Sequence, residues 1–190
     1  MKIGVVALQG GFRAHVEAFA ALGADVFEVR RPKELTAADA LVLPGGESTT
    51  VGRLLGTSGL LEPLADRLAA GTPVLGTCAG LILLASDVLD GRPDQPVLGG
   101  IDLTVRRNAH GRQRDSFESP LDITGLAGGP FPGVFIRAPA IERVGEGVEV
   151  VASLGTGEPV GARHGPVTVY AFHPELSGDL RLHQRFLSSL

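Results

Sequence analysis

The chain has 190 residues, of which 44% are hydrophobic and 20% are charged, and its formal net charge is -4. This length and composition suit one compact α/β domain with a buried core. The negative balance, with no long basic run, argues against nucleic acid as a partner. No apolar run is long enough to cross a bilayer, and the first residues lack the pattern of a signal peptide, so we expect a cytoplasmic protein without membrane association.

The first half of the chain predicts strands that alternate with helices. Short apolar runs predict strands at 2–8, 25–30, 40–43 and 73–76. Apolar residues at helical spacing predict helices that begin near Phe12 and after Ser48, and two more at 60–70 and 81–85. Such alternation is typical of a parallel sheet that is covered by helices on both faces.

The second half has a different pattern. Residues 90–100 are rich in Gly, Pro and Asp and predict a loop, and strands are predicted at 101–106, 133–136, 148–152 and 167–172 with few helices between them. A helix is predicted at 179–190. We therefore predict a single domain, residues 1–190, of the α/β class. It has three layers: a mostly parallel central sheet with helices on both faces, and an antiparallel extension.

Cys78 is the only cysteine of the chain. A lone cysteine is either a buried small apolar residue or a reactive thiol. This one lies in Gly76-Thr77-Cys78-Ala79-Gly80, between an apolar strand and an apolar helix, which is the cysteine form of the nucleophile elbow. The helix N-terminus at such a turn favours a thiolate, and the N–H of Ala79 is placed to stabilise an oxyanion. The pattern favours a nucleophile.

A nucleophilic cysteine needs a histidine that takes and returns its proton. His173 follows a predicted strand and is followed by Pro174 and Glu175. Because residues i and i+2 of an extended segment point the same way, Glu175 can orient the His173 ring. The alternative is a strand-end histidine beside a surface carboxylate. The other histidines are expected elsewhere: His15 on a solvated helix face, His110 and His164 in loops, and His183 on the last helix, far from any reactive group.

The Cys78 turn and the His173-Pro174-Glu175 segment together resemble the class I glutamine amidotransferases. Further segments resemble, in the family's order, the glutaminase subunits of pyridoxal 5'-phosphate synthases: Leu8-Gln9-Gly10, the LPGGESTT run at 43–50, Arg107-Asn108 with Gly111-Arg112-Gln113, the DSFE run at 115–118 and the GVFIRAP run at 133–139. The resemblance covers nearly the whole chain. It departs at Asn108-Ala109-His110, where the family usually has Asn-Ser-Phe, and this leaves the role of His110 open.

The resemblance implies a role for each matching residue. Cys78 would be the nucleophile, and His173 and Glu175 would complete a catalytic triad. The glutamine-binding residues would be Gly46, Glu47, Ser48, Arg107, Ile136 and Arg137. A guanidinium suits the α-carboxylate of glutamine, and a carboxylate such as Glu47 suits its ammonium group. Ala79 and the Gly45-Gly46 loop would supply the oxyanion donors. The structural alternative for this loop is a strand-to-helix connection with Ser48 as the helix N-cap.

The implied reaction is hydrolysis of the side-chain amide of L-glutamine to glutamate and ammonia, with no cofactor and no metal. The ammonia would pass to a synthase subunit, an obligate partner that condenses it with a pentose phosphate and a triose phosphate. We expect the Gln9-Gly10-Gly11 loop, which ends the first strand, to sense that partner. Three alternatives stay open: a class I glutaminase that serves histidine, tryptophan or nucleotide synthesis, a non-catalytic subunit on the same scaffold, and an unrelated cysteine hydrolase or peptidase.

Overall fold

A computed structural model describes residues 1–92, 94–107 and 116–190. The strands are β1 Lys2–Val6, β2 Asp25–Val29, β3 Ala40–Leu43, β4 Val74–Thr77, β5 Ala85–Leu89, β6 Ile101–Arg106, β7 Ser116–Ile123, β8 Phe131–Ile136, β9 Ala140–Val144, β10 Glu149–Ser153, β11 Pro159–His164 and β12 Val167–Tyr170. The helices are α1 Phe12–Ala21, α2 Pro32–Leu35, α3 Ser48–Thr57, α4 Leu61–Ala69, α5 Ala79–Leu84 and α6 Arg181–Ser188, with a 3₁₀ helix at Pro174–Leu176.

Within the described residues, the central sheet has nine strands in the order β2-β1-β3-β4-β12-β11-β10-β7-β8. The five strands from β2 to β12 are parallel to their neighbours. From β12 to β8, every neighbouring pair is antiparallel. A smaller sheet has the order β5-β6-β9. The predicted α/β fold, with a parallel sheet and an antiparallel extension, is confirmed.

The helices form two groups around the parallel strands. α1 packs against α6, while α2, α3, α4 and α5 contact one another in a separate group. Every residue of β3 and β4 is buried, as expected for strands that are covered on both faces. Among the helices of the described residues, none is both long and apolar enough to cross a membrane.

The strand predictions were incomplete in the second half. The predicted strands match β6, β8, β10 and β12 closely, but β5, β7, β9 and β11 were missed. β7 contains Pro120, and β11 contains Gly161, and both residue types weaken a strand pattern. These strands are short or partly exposed, so their apolar runs are interrupted.

The pairing of the parallel strands places four loops at one edge of the sheet. β1, β3, β4 and β12 are successive neighbours, so their carboxyl ends lie side by side. The segments that leave these ends carry Gln9, Gly45, Cys78 and His173. The N–H of His173 donates to the carbonyl of Val134 at 2.8 Å, which brings the end of β8 to the same place. Ligands bind at this edge in open α/β sheets, so it is the position for a functional site.

Candidate active site

Cys78 occupies a strained turn between β4 and α5. Its backbone angles are φ 48° and ψ -100°, in a region that side chains other than glycine rarely adopt and that costs about 1–3 kcal/mol. The turn is held because the N–H of Cys78 donates to the carbonyl of Tyr170 in β12 at 2.8 Å. A Cβ atom on Gly80 would collide with the carbonyl oxygen of Leu43, so glycine there lets α5 start directly against β3. The predicted elbow geometry is present.

The His173 ring lies between Cys78 and Glu175. Its Nδ1 atom is 2.7 Å from Oε1 of Glu175. Partial burial acts to lower the pKa of His173, but the hydrogen bonds and charges of Cys78 and Glu175 outweigh it and raise the pKa to about 10. Burial acts to raise the pKa of Glu175, but His15 and His173 outweigh it and lower that pKa. At neutral pH the site therefore holds an imidazolium beside a carboxylate and a sulfur atom.

A cavity of about 180 Å³ opens in front of Cys78 and His173. Its other lining residues are Gln9, Gly46, Glu47, Ser48, Ile82, Arg107, Ile136 and Arg137. All six residues that the resemblance implied for glutamine binding are in this set. Ile82 was not predicted. It lies on α5 four residues after Cys78, and helical spacing could have placed it on the same face.

Glu47, rather than Ser48, is the N-cap of α3, so the N-cap prediction was wrong by one residue. Its carboxylate accepts from the N–H of Thr49 at 3.1 Å and the N–H of Thr50 at 2.8 Å. Desolvation acts to raise the pKa of Glu47, but hydrogen bonds from Thr50 and Thr49 outweigh it and lower the pKa to about 2. Glu47 is therefore ionised, and its side chain, which is longer than that of Ser48, accepts the N-cap hydrogen bonds that were predicted for Ser48.

Arg107 is held at the cavity by two side chains. Its Nη2 atom lies 3.2 Å from Oε1 of Glu47, and its Nη1 atom donates to Oε1 of Gln95 at 2.7 Å. Gln95 was not predicted, since it lies in a loop without a recognisable motif. These two contacts hold the charged guanidinium of Arg107 beside the cavity.

The Gly45-Gly46 loop carries the predicted oxyanion donors. The N–H of Gly45 donates to Oγ1 of Thr77 at 3.1 Å, so this N–H already has an acceptor. The carbonyl of Gly45 accepts from the N–H of Gly11 at 2.9 Å. The N–H of Gly46 belongs to the same trans peptide and points the opposite way, away from the Gly11 loop. Ala79 is the first residue of α5, so its N–H has no acceptor within the helix. The geometry favours Gly46 and Ala79 as donors over Gly45.

The β8 end supplies a second strained position. Arg137 has φ 44°, and the carbonyl oxygen of the preceding Ile136 lies 3.9 Å from Sγ of Cys78. This turn places Ile136 and Arg137 in the lining of the cavity.

His15 and His183 lie on the predicted helices, but His15 is not solvated and His183 is not far from the site, since its ring contacts that of His15. His15 and His183 are both fully buried. The prediction of a solvated His15 relied on its neighbours Arg13 and Glu17, but the face of α1 that is buried contains His15, Ala18 and Phe19. His164 is exposed, but it is the last residue of β11 and not a loop residue as predicted, and His110 lies outside the described residues.

The fold is that of a glutamine amidotransferase. A solved structure described as "Crystal structure of glutamine amidotransferase" superposes with a TM-score of 0.91 at 50% identity, covering 98% of this chain and 97% of that one. The chain belongs to the SNO glutamine amidotransferase family, whose model matches residues 5–190.

Its relatives in this family carry a more specific name. The chain is 56% identical to "Pyridoxal 5'-phosphate synthase subunit PdxT" of Parafrankia sp. (strain EAN1pec) over 186 residues, which are 98% of this chain and 91% of the relative. It is 58% identical to the protein of the same name from Mycobacteroides abscessus over 185 residues, or 97% of this chain and 95% of the relative. The predicted family is confirmed.

The charge on His173 predicts how fast Cys78 reacts with iodoacetamide. A pKa of about 10 keeps the His173 ring positively charged at pH 7, and a cation beside a cysteine sulfur speeds its alkylation. We expect His173→Gln to slow alkylation at pH 7 by about tenfold or more. Mass spectrometry is a clean measurement because Cys78 is the only cysteine.

His164→Gln is the matched control, because His164 is exposed on β11. It should alkylate at the wild-type rate. Equal rates in all three proteins would show that no imidazolium assists Cys78.

Proposed function

We propose that the chain is the glutaminase subunit of a pyridoxal 5'-phosphate synthase. In this role it hydrolyses the side-chain amide of L-glutamine and supplies the ammonia to the synthase subunit. The observation that carries the proposal is the shared cavity. Cys78 and His173 face the same small space as Glu47, Arg107 and Arg137, which suit the two charged groups of a free amino acid. We also propose that residues 1–190 act as one domain in the cytoplasm.

The proposed reaction starts from a thiolate of Cys78 and an imidazolium of His173. The thiolate attacks the amide carbonyl of glutamine and forms a tetrahedral oxyanion. Each oxyanion donor is typically worth about 3–4 kcal/mol, and the N–H groups of Ala79 and Gly46 are the donors we assign. His173 protonates the leaving ammonia, then activates a water molecule that hydrolyses the thioester and releases glutamate. Glu175 holds the His173 ring in the required orientation.

The polar groups of the cavity account for selection of glutamine. The guanidinium groups of Arg107 and Arg137 would bind the α-carboxylate, and Glu47 would bind the ammonium group. In the structure Nη2 of Arg107 lies 3.2 Å from Oε1 of Glu47, so glutamine would bind beside an existing ion pair. A volume of about 180 Å³ suits a free amino acid. It lies below the range of about 300–1,000 Å³ that is typical of pockets for larger ligands, which argues against a peptidase.

The Gln9-Gly10-Gly11 loop is suited to report partner docking to the site. Oε1 of Gln9 accepts from the N–H of Glu47 at 2.8 Å, and the N–H of Gly11 donates to the carbonyl of Gly45 at 2.9 Å. The loop therefore brackets the peptide that carries the proposed Gly46 donor. Gly10 is exposed at its tip, and Leu176, next to Glu175, leaves 49% of its surface exposed. A partner that binds this surface would contact the loop that holds the Gly45-Gly46 peptide in place.

The alternatives fit these observations less well. A class I glutaminase for another pathway would share the triad, but the relatives at 56% and 58% identity are both named as pyridoxal 5'-phosphate synthase subunits. A non-catalytic subunit would not need a histidine in contact with both Cys78 and Glu175.

Glutamate release tests the proposal. We expect wild-type protein with the synthase subunit to release glutamate from glutamine much faster than wild-type protein alone. Cys78→Ala should abolish release under both conditions, since no thiolate remains to attack the amide. Equal release with and without the synthase would contradict the assigned partner. Full activity of Cys78→Ala would contradict the mechanism, and no release by wild type with the synthase would favour a non-catalytic subunit.

Arg107→Ala should weaken glutamine binding. Loss of a charged hydrogen bond typically costs about 1.5–3 kcal/mol, which corresponds to a rise in KM of about 10- to 100-fold. We expect kcat to change little, because Arg107 binds the substrate end that does not react. Steady-state glutaminase kinetics with the synthase present measure both constants.

Arg106→Ala is the matched control. Arg106 is the adjacent arginine, but its guanidinium pairs with Asp90 and Glu142 at the surface. Its KM should stay at the wild-type value. An unchanged KM in Arg107→Ala would exclude Arg107 from glutamine binding.

Gly10→Ala should impair glutaminase activity in the complex more than it impairs folding. Gly10 has φ 95°, and a Cβ atom there would collide with the carbonyl oxygen of Gly45. The collision would displace the peptide that carries the proposed oxyanion donor, so we expect synthase-stimulated glutamate release to fall about tenfold or more. Thermal unfolding measured alongside separates this effect from loss of fold.

Gly23→Ala isolates the backbone strain. Gly23 has φ 75°, and an added Cβ atom would meet nothing within 4 Å, so its substitution adds strain without a collision. It should lower stability and leave activity unchanged. If Gly10→Ala and Gly23→Ala both retain full activity in the complex, the Gly10 loop has no role in the site.

A further inference from the structure

Glu175 has two carboxylate oxygens, and the proposed mechanism uses one of them. Oε1 binds Nδ1 of His173 at 2.7 Å. The side chain is fully buried, and within the described residues Oε2 makes no aligned hydrogen bond. A buried carboxylate oxygen without a donor is costly, and it leaves the carboxylate free to rotate away from His173.

His15 of α1 stands beside this second oxygen. Its Nε2 atom lies 3.3 Å from Oε2 of Glu175 and 3.1 Å from Oγ1 of Thr77. Its Nδ1 atom lies 3.0 Å from Nε2 of His183 in α6. Both imidazoles are completely buried, which is unusual for polar rings that serve packing alone.

The protons of this histidine pair can be assigned in sequence. An ionised carboxylate can only accept, so we assign a hydrogen to the His15 nitrogen that faces it, which also lets that nitrogen donate to Oγ1 of Thr77. The other nitrogen of a neutral His15 is then an acceptor, so Nε2 of His183 must be the donor to it. Nδ1 of His183 then carries a lone pair and no hydrogen, and this atom has no hydrogen-bond partner among the described residues. Burial lowers the pKa of both His15 and His183, in keeping with neutral rings.

We propose that His15 is a positioning residue: its Nε2–H, which hydrogen-bonds Oγ1 of Thr77 and lies 3.3 Å from Oε2 of Glu175, restrains that oxygen so that Oε1 stays aligned with the His173 ring. The inference rests on the proposed glutaminase function. His183 fixes the tautomer of His15 and is the outer member of the same chain of contacts. His15 touches neither substrate nor Cys78 in this scheme and acts only through Glu175.

The His15 ring also connects the Glu175 carboxylate to the Gly45-Gly46 loop. Oγ1 of Thr77 lies 3.1 Å from Nε2 of His15 and accepts from the N–H of Gly45 at 3.1 Å. Thr77 immediately precedes Cys78. One buried imidazole therefore contacts both the group that orients the base and the residue that anchors the nucleophile turn.

The kinetic test uses two replacements of His15. His15→Leu removes the N–H, and we expect kcat for glutamate release in the complex with the synthase to fall about tenfold while KM stays within about twofold. His15→Gln keeps a donor, because its amide nitrogen can stand where Nε2 stood, and should recover most of the lost kcat. If His15 served packing alone, glutamine would not restore kcat better than leucine does.

A double-mutant cycle tests whether His15 acts through Glu175. We expect His15→Leu to cost little further kcat in a protein that already carries Glu175→Gln, because the carboxylate it holds is gone. Leu182→Val is the matched control, since Leu182 is buried on α6 beside His183 but contributes no polar group to the pair. It should lower the melting temperature and leave kcat unchanged.

Alkylation of Cys78 by iodoacetamide at pH 7 gives a readout without turnover. Weaker alignment of Glu175 would stabilise the His173 imidazolium less, so His15→Leu should alkylate more slowly than wild type and His15→Gln near the wild-type rate. If wild type releases no glutamate, the proposed function fails and the alkylation rates still decide the role of His15. Wild-type kcat and alkylation rate in His15→Leu, additive losses in the cycle, or a glutamine variant no better than leucine would each overturn the proposal.

Discussion

The parallel pairing of β4 with β12 is the contact on which the site depends. It sets Thr77 opposite Tyr170, so that the nucleophile turn and the segment that carries the base leave the sheet side by side. The N–H of Cys78 donates to the carbonyl of Tyr170, so the strained turn is itself an extension of this pairing. A slip of one residue would turn the side chains of β12 to the opposite face and separate the two groups. Because β3 and β4 are buried on both faces, that register is strongly specified.

The parallel half of the fold and the proximity of Cys78, His173 and Glu175 could be predicted from sequence for the same physical reason. Buried parallel strands are continuous apolar runs, and a catalytic elbow needs glycines at fixed spacing, so both leave local patterns. The antiparallel half of the fold leaves weaker local patterns in the sequence. β7 and β9 are partly exposed and are interrupted by charged residues, and β9 pairs with β6, a strand far earlier in the chain that no local pattern contains.

His15 shows why the surroundings of the site could not be predicted in the same way. Its neighbours along the chain are charged, but the neighbours that matter on a helix are three and four residues away, and these are Ala18 and Phe19. Even a correct face would not have shown that His183 meets it, since the two residues belong to helices at opposite ends of the chain. Glu47 is a related case. Its capping role depends on the path of the loop, which brings its carboxylate back to the N–H groups of Thr49 and Thr50.

The parts of the site differ in what holds them in place. Cys78, His173 and Glu175 are fixed by β4, β12 and the buried contacts beneath them, so their alignment has the stability of the core. The Gly45-Gly46 peptide is held from the outside, by the N–H of Gly11 in a loop whose tip is exposed. A partner that contacts the surface can therefore change the oxyanion donors without disturbing the triad. In the proposed function, an ammonia-supplying subunit needs both chemistry and its control. The residues that carry out the chemistry are held by the core, and the loop that would face the synthase controls them.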